Sequence, residues 1–302
     1  MVGIIVLVAF VFYELYMPLE QPLLPMSLFK IRNFWVAVVA GSIGQVAFYA
    51  MNVLWPQHVT NLYTTNNITI GWLSCITGMA LVAGEAIMGP FFKTLGNVKW
   101  QMFAAACLLT LFSGLMALGD ENKMGVAVGS GVCLGLSVGW IELVAILVAG
   151  LVVPPKQIGS AQAFFASCRA VASSIASSVY LAIYNGRLDQ TMVPQVSSRA
   201  VSAGLPESSI PQLMTALTNG TAQALAAVNG STPAIIEAAR AGRERAYAMS
   251  LQTTYLSSIA FGGLAIVVSL LATDVDKYLT GFVNKTVDHK GEKTRELPQE
   301  KV

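Results

Sequence analysis

Gly125-Val-Ala-Val-Gly-Ser-Gly-Val-Cys-Leu-Gly-Leu-Ser-Val-Gly-Trp-Ile-Glu-Leu-Val-Ala-Ile-Leu-Val-Ala-Gly-Leu-Val152 carries a single charge, Glu142. About 20 mostly apolar residues suffice to cross the hydrocarbon core of a bilayer as a helix. The stretch is long enough, and too apolar all round to face water on any side. A short Pro154-Pro155-Lys156 link follows. Residues 159–184 then repeat the pattern, again with one charge, Arg169. Windows of the same kind fall at 1–16, 34–55, 71–91, 99–118 and 252–272, which predicts an all-α membrane protein. The first window is short and the other six are of full length.

Composition agrees. Of 302 residues, 55% are hydrophobic and 11% are charged, against about 25% charged in soluble domains. Mean hydropathy is +0.62. A net charge of +2, without any long basic cluster, excludes a nucleic-acid partner. Cys75, Cys107, Cys133 and Cys168 lie inside apolar stretches with no ligand spacing. His58 and His289 are far apart, so neither a metal site nor a cofactor is expected. No HExxH, Ser-His pair or P-loop is present, which argues against an enzyme. Energy for any pumping would have to come from an ion gradient.

The connections set the orientation. Short loops 17–33, 92–98 and 153–158 carry Lys30, Arg32, Lys93 and Lys156, with Lys99 at a helix end. The alternate short loops, 56–70 and 119–124, carry only Lys123. The positive-inside rule places the first set in the cytosol, together with a charged tail at 273–302. The segment 185–250 is then extracytosolic: a long polar loop with Ala222–Val228 and Pro233–Met249 as its candidate helices. The sequons at Asn67, Asn219 and Asn229 fall on the same outer side as candidate glycosylation sites, whereas Asn284 would be cytosolic and unused.

Gly131, Gly135 and Gly139 make two overlapping GxxxG steps, a face on which a neighbouring backbone can approach closely. Residues 159–184 are studded with Ala and Ser, from Ser160 to Ser178, a pattern of tight helix packing or of helices that slide on one another.

Charges inside the hydrocarbon are costly and mark pathways or pairs. Glu142 lies ten residues before the end of its helix, and Arg169 ten residues after the start of the next. At 1.5 Å per residue both sit about 15 Å from the same membrane face. They are expected to pair, with Glu142 as a protonatable or substrate-contacting group and a purely structural pair as the alternative. Glu85 lies nearer the cytosolic end, within reach of the interface or of Lys93. Gln45, Tyr49 and Asn52 share one helical face that could line a polar cavity. Trp140 is a mid-membrane aromatic, placed either on that cavity or in packing.

The run from Tyr13 to Phe34 (Tyr-Glu-Leu-Tyr-Met-Pro-Leu-Glu-Gln-Pro-Leu-Leu-Pro-Met-Ser-Leu-Phe-Lys-Ile-Arg-Asn-Phe) resembles the cytosolic link before the C-terminal bundle of fungal major facilitator transporters. The runs Ile158–Arg169, Ile259–Ile266 and Asp274–Leu279 carry the same resemblance. The chain is most similar in look to the fungal trichothecene efflux pump family, a fourteen-helix drug:proton antiporter group neighbouring siderophore transporters. The resemblance implies a facilitator-type C-terminal six-helix bundle at 34–272 with one preceding transmembrane helix. It also implies proton-coupled efflux or uptake of a small organic molecule such as a toxin, drug or siderophore, by alternating access. The plasma membrane is the expected location and the vacuolar membrane the alternative. The facilitator motif Gly-x-x-x-Asp-Arg/Lys-x-Gly reads Gly89-Pro-Phe-Phe-Lys93-Thr94-Leu-Gly96 here, so the charges of its gating salt bridges are missing. One bundle is half of such a transporter. The abrupt first helix therefore predicts a truncated or half-length form that needs an N-terminal bundle. The rival reading is a non-transporting half-bundle that assembles with a partner through its small-residue faces.

Overall fold

A computed structural model describes residues 5–6, 12–13, 27–120, 122–219, 221–273 and 275. Most of the window expected at 1–16, most of the 17–33 link and nearly all of the tail lie outside the described residues. The described chain is helical, with no strand in it. Its helices are α1 (Arg32–His58), α2 (Asn67–Leu95), α3 (Val98–Met116), α4 (Met124–Leu151), α5 (Ile158–Ser202), α6 (Ile210–Asn219), α7 (Ala222–Ala226) and α8 (Pro233–Leu270). The first runs on through one π turn, Val59–Tyr63.

Six of these, α1 to α5 and α8, are long and apolar enough to cross a membrane. Their outward faces keep Trp72, Val82, Ile87, Leu111, Val171, Ile175 and Val267 exposed. In water such surfaces would drive aggregation. Their placement all round the bundle suits lipid, and the chain is an integral, multi-pass membrane protein.

Helix α4 is central and packs on α1, α2 and α3, while α8 packs on α5, α3 and α1. The α2–α4 contact is made by glycine. A Cβ on Gly135 would sit 2.9 Å from the Thr77 carbonyl oxygen. One on Gly139 would collide with the Leu81 carbonyl, and one on Gly84 with that of Leu136. Gly131, expected on the same face, instead faces the Met116 and Met51 side chains of α3 and α1. Each four-residue step turns the helix by about 40°, so two steps carry a residue away from the first neighbour.

The ends of the bundle are tied by polar contacts. At one end Asn33 accepts from the Thr273 backbone N–H at 2.9 Å and from its hydroxyl at 2.9 Å. At the other, His58 is fully buried. Its Nδ1 lies 3.3 Å from the Tyr255 hydroxyl and its Nε2 lies 3.1 Å from that of Tyr63. Tyr63 in turn donates to the Asp120 carbonyl at 3.1 Å. Sequence reading found no partners for His58, because they come from a turn and from a distant helix.

The segment expected as a loop from 185 is helical to Ser202, and helix resumes at Pro233. The 45 residues of α5 make a rod of about 68 Å, far beyond a hydrocarbon core of about 30 Å. After Tyr184 the pattern changes from all-round apolar to amphipathic, with Leu188, Thr191, Val196 and Ala200 turned inward. Hydropathy windows stop where water begins, but an Ala-rich amphipathic helix does not. A second small core fills the far end: Val196, Ala200, Leu205, Leu213, Leu217, Leu225, Val228, Ile235 and Ala239. The last long helix is capped there by Thr232, whose hydroxyl accepts from the Ile235 N–H at 3.3 Å.

Candidate functional site

The site begins with two glycines on α1. A Cβ on Gly41 would fall 2.6 Å from the Phe165 ring of α5, and one on Gly44 would fall 3.0 Å from Glu142 Cγ of α4. Their absence of side chain lets three helices converge, and it brings Phe165 and Glu142 under the same guanidinium. Arg169 donates through Nη2 to Glu142 Oε2 at 2.6 Å and to Gln45 Oε1. Its Cζ stands 5.2 Å from the centre of the Phe165 ring, a cation–π distance. The Glu142 side chain is 5% exposed and that of Arg169 16%.

Two atoms of the pair have no partner. Glu142 Oε1 and Arg169 Nε are buried and unbonded among the described residues.

Above the pair, between α1 and α5, opens a cavity of about 490 Å³ lined by Gln45, Tyr49, Arg169, Ser173, Ser174 and Ser177 with Ala166 and Ala170. A volume of this size suits a small organic molecule. Tyr49 offers its ring to the opening, at 42% exposed.

The structure thus brings together Glu142, Arg169, Gln45 and Tyr49. Asn52 shares their helical face but lies beyond the lining, about 10 Å along α1 from Gln45. It is exposed, and its amide donates to the Phe48 carbonyl at 3.2 Å. Trp140 is half-buried, with its Nε1 unbonded among the described residues, and does not line the cavity. Two residues along a helix is a turn of about 200°, so it cannot share the direction of Glu142. Glu85 is half-buried on α2 and feels the charge of Arg169. It forms no ion pair with Lys93, which is exposed, so its electrostatic partners lie inward and not at the interface.

Sequence reading missed Gly41, Gly44 and Phe165, and took the serines of α5 for packing or for helices sliding on one another. The signal available was the Gly41-x-x-Gly44-Gln45 spacing, which becomes meaningful only once α1 is known to touch both α4 and α5. The four cysteines are free.

Six membrane-crossing helices around a buried Glu–Arg pair, with a cavity beside it, define an all-α, multi-pass membrane protein of the major facilitator type. The chain belongs to the fungal trichothecene efflux pump family, whose sequence model matches residues 1–298. It is 28% identical over 281 residues to the trichothecene efflux pump TRI12 of Fusarium sporotrichioides, covering 92% of this chain and 47% of that protein. It is 28% identical over 285 residues to the MFS-type transporter prx5 of Penicillium rubens, covering 92% of this chain and 52% of the relative. The MFS-type efflux transporter pyiT of Pyricularia grisea is 26% identical over 294 residues, covering 95% of this chain and 45% of its own length. The chain spans about half the length of these curated relatives.

Proposed function

We propose that the protein serves secondary active transport of a small organic molecule coupled to protons, with Glu142 as the proton-carrying group and Arg169 as its partner. The observation that carries this is the buried pair itself. Its Glu142 Oε1 is unbonded and its Arg169 borders the cavity. A pair that served only to hold two helices in register would be expected away from a cavity and fully bonded. Relatives bearing the names of efflux pumps and facilitator transporters support the same reading, and their greater length supports a second bundle closing the cavity. Two bundles with the ligand between them are what alternating access needs. The family's name, and that of the Fusarium relative, make a trichothecene the first substrate to try. This assignment is to a transporter and not to an enzyme.

The test is transport of a radiolabelled trichothecene by fungal cells expressing the native-length protein or its Glu142→Gln variant. Because Arg169 borders the cavity and keeps its bond to Gln45, the variant leaves no charge sealed without a partner, and we expect it to reach the same membrane in the same amount and to lose proton-driven movement of the label. A variant that transports like the wild type would sink the coupling role. A wild type that ignores trichothecenes while moving protons with another compound would remove the substrate and leave the mechanism.

The charge bias of the short loops supports a cytosolic C-terminus, with α6, α7 and the second core outside the cell and the plasma membrane as host. Asn67, Asn219 and Asn229 are all exposed and belong to that outer side. Digestion of the purified protein with an N-glycosidase is expected to increase its gel mobility, and the three Asn→Gln changes to abolish the shift one step at a time. A reporter glycan accepted only at Asn284 would invert the topology.

A further inference from the structure

The end of the bundle at the α3–α4 turn holds a buried titratable group that the transport reading does not use. His58 closes α1 just before the π turn and is 0% exposed. Its hydrogen-bond relay draws on three places: Tyr63 from the π turn, Asp120 from the α3–α4 turn and Tyr255 from α8. The direction of the relay is set at its far end. A backbone carbonyl can only accept, so the Tyr63 proton points to Asp120. Tyr63 then accepts from His58, which puts the imidazole proton on Nε2 and leaves Nδ1 to accept from Tyr255. The relay thus runs one way, from Tyr255 through His58 and Tyr63 to Asp120, and it exists only while the ring is neutral.

A second proton would arrive on Nδ1 and displace the Tyr255 hydroxyl, which makes no other hydrogen bond among the described residues. Nor does a free carboxylate among those residues face the new charge. The titratable groups around the relay are Tyr63 beside it, Tyr255 and Arg245 on α8, Tyr184 on α5 behind Tyr255, and Asp120 with Lys123 in the turn. The Asp120 carboxylate already accepts from the Asn122 N–H at 3.1 Å and from Lys123 at 3.2 Å. Helix α2 carries no charge before Glu85. A cationic ring would stand uncompensated in a buried site, which is costly. Water is close all the same. Gly119 lines a small cavity of about 130 Å³, and a Cβ on it would lie 3.3 Å from His58 Cε1.

We propose that His58 is an acid-released latch, which ties the end of α1 to the α3–α4 turn and to α8 while neutral and is untied by a proton taken from the small cavity. The same helix carries Gln45 and Tyr49 of the large cavity, and Tyr49 lies nine residues, about 14 Å, before His58. Untying the latch therefore frees the end of a helix that lines the proposed transport site. Every member of the latch belongs to this chain, and only the side of the membrane it faces rests on the topology proposed above. An ordinary imidazole takes up its proton near pH 6.5. The latch is therefore held above that pH and loosens as the pH falls below it, by at most about tenfold per unit for one proton.

The test is backbone hydrogen exchange of the native-length protein in lipid nanodiscs, read by mass spectrometry at pH 7.5 and at pH 5 and corrected for the intrinsic rate at each. Peptides covering 54–64 and 115–123 are expected to exchange about tenfold faster at pH 5, and a peptide covering 99–109 of α3 to stay unchanged. His58→Gln, which offers one acceptor and one donor but takes up no proton, should abolish the response. Glu142→Gln should keep it, so that the latch and the coupling role fail separately. Imidazole nitrogen NMR of the wild type at pH 7.5 should show one ring, shielded from solvent, protonated at Nε2 alone. Exchange at both segments that ignores pH in the wild type, a response that survives in His58→Gln, or a shielded ring protonated at Nδ1 overturns the proposal.

Discussion

Replacing Arg169 by Met is expected to destabilise the protein severely, and replacing Glu142 by Leu at the same time to restore most of the loss. Among the described residues the guanidinium supplies the only cationic partner of a carboxylate whose side chain is 5% exposed. Removing one member of a buried ion pair typically costs about 3–5 kcal/mol, because the other charge is left without compensation in a low-dielectric site. Removing both members and substituting apolar groups of similar size is often close to neutral. The single variant has one escape, which is to protonate Glu142. Its deficit should therefore shrink as the medium is acidified, since the lone carboxylate is costly only while ionised. Thermal unfolding of the nanodisc-embedded protein at pH 8 and at pH 5 checks both statements. A single variant as stable as the wild type at pH 8 would show that the pair carries no structural weight. A double variant as poor as the single one would show that the loss comes from packing over Phe165 and not from charge.

The second large effect is expected at Gly139. A methyl group there would meet the Leu81 carbonyl oxygen and lie 3.0 Å from the Glu85 nitrogen. Both are backbone atoms, so no side-chain rotation can make room. Either α2 and α4 separate along the contact that also includes Gly84 and Gly135, or the helix bends. Overpacking of this kind costs about 1–3 kcal/mol for Gly139→Ala, and Gly139→Val should prevent folding. The same helix provides its own control. Nothing lies within 4 Å of a Cβ on Gly129. Gly129→Ala should therefore be neutral or stabilising by up to about 1 kcal/mol, through helix propensity alone. Measuring the two alanine variants side by side separates a steric contact from a general intolerance of the helix. Equal effects would mean that the close approach of α2 and α4 is not what holds them.

The membrane helices were legible in the sequence because the bilayer imposes a length that a hydropathy pattern can be compared with. The pairing of Glu142 with Arg169 was legible for a related reason. Two consecutive antiparallel helices joined by a short link have a fixed relation of depth, and counting residues from the Pro154-Pro155 turn was enough. What could not be counted was lateral contact between helices that are not consecutive. Gln45 and Arg169 are 124 positions apart, and only the packing of α1 against α5 brings them together. Gly41 and Gly44 acquire meaning from that same contact. Trp140 and Asn52 show the reverse, a residue near in sequence turned away by helical phase and a residue on the correct face placed too far along it. Beyond Tyr184 the pattern turns amphipathic, and the rule that found the first part of α5 has nothing to say about its last turns.

The two long helices that rise together past the hydrocarbon have a practical consequence. Small transporters are hard to image by electron cryomicroscopy because the detergent belt hides nearly all of their protein and leaves the particles with little to align on. Here α5 continues for about 27 Å after Tyr184, braced by α8 and by a core of its own. Such a mast is continuous with the helix that carries Arg169, and it breaks the near-featureless outline of the belt. Images of this protein should orient on it without an added antibody fragment, and any tilt of α5 during a transport cycle would be magnified at its tip.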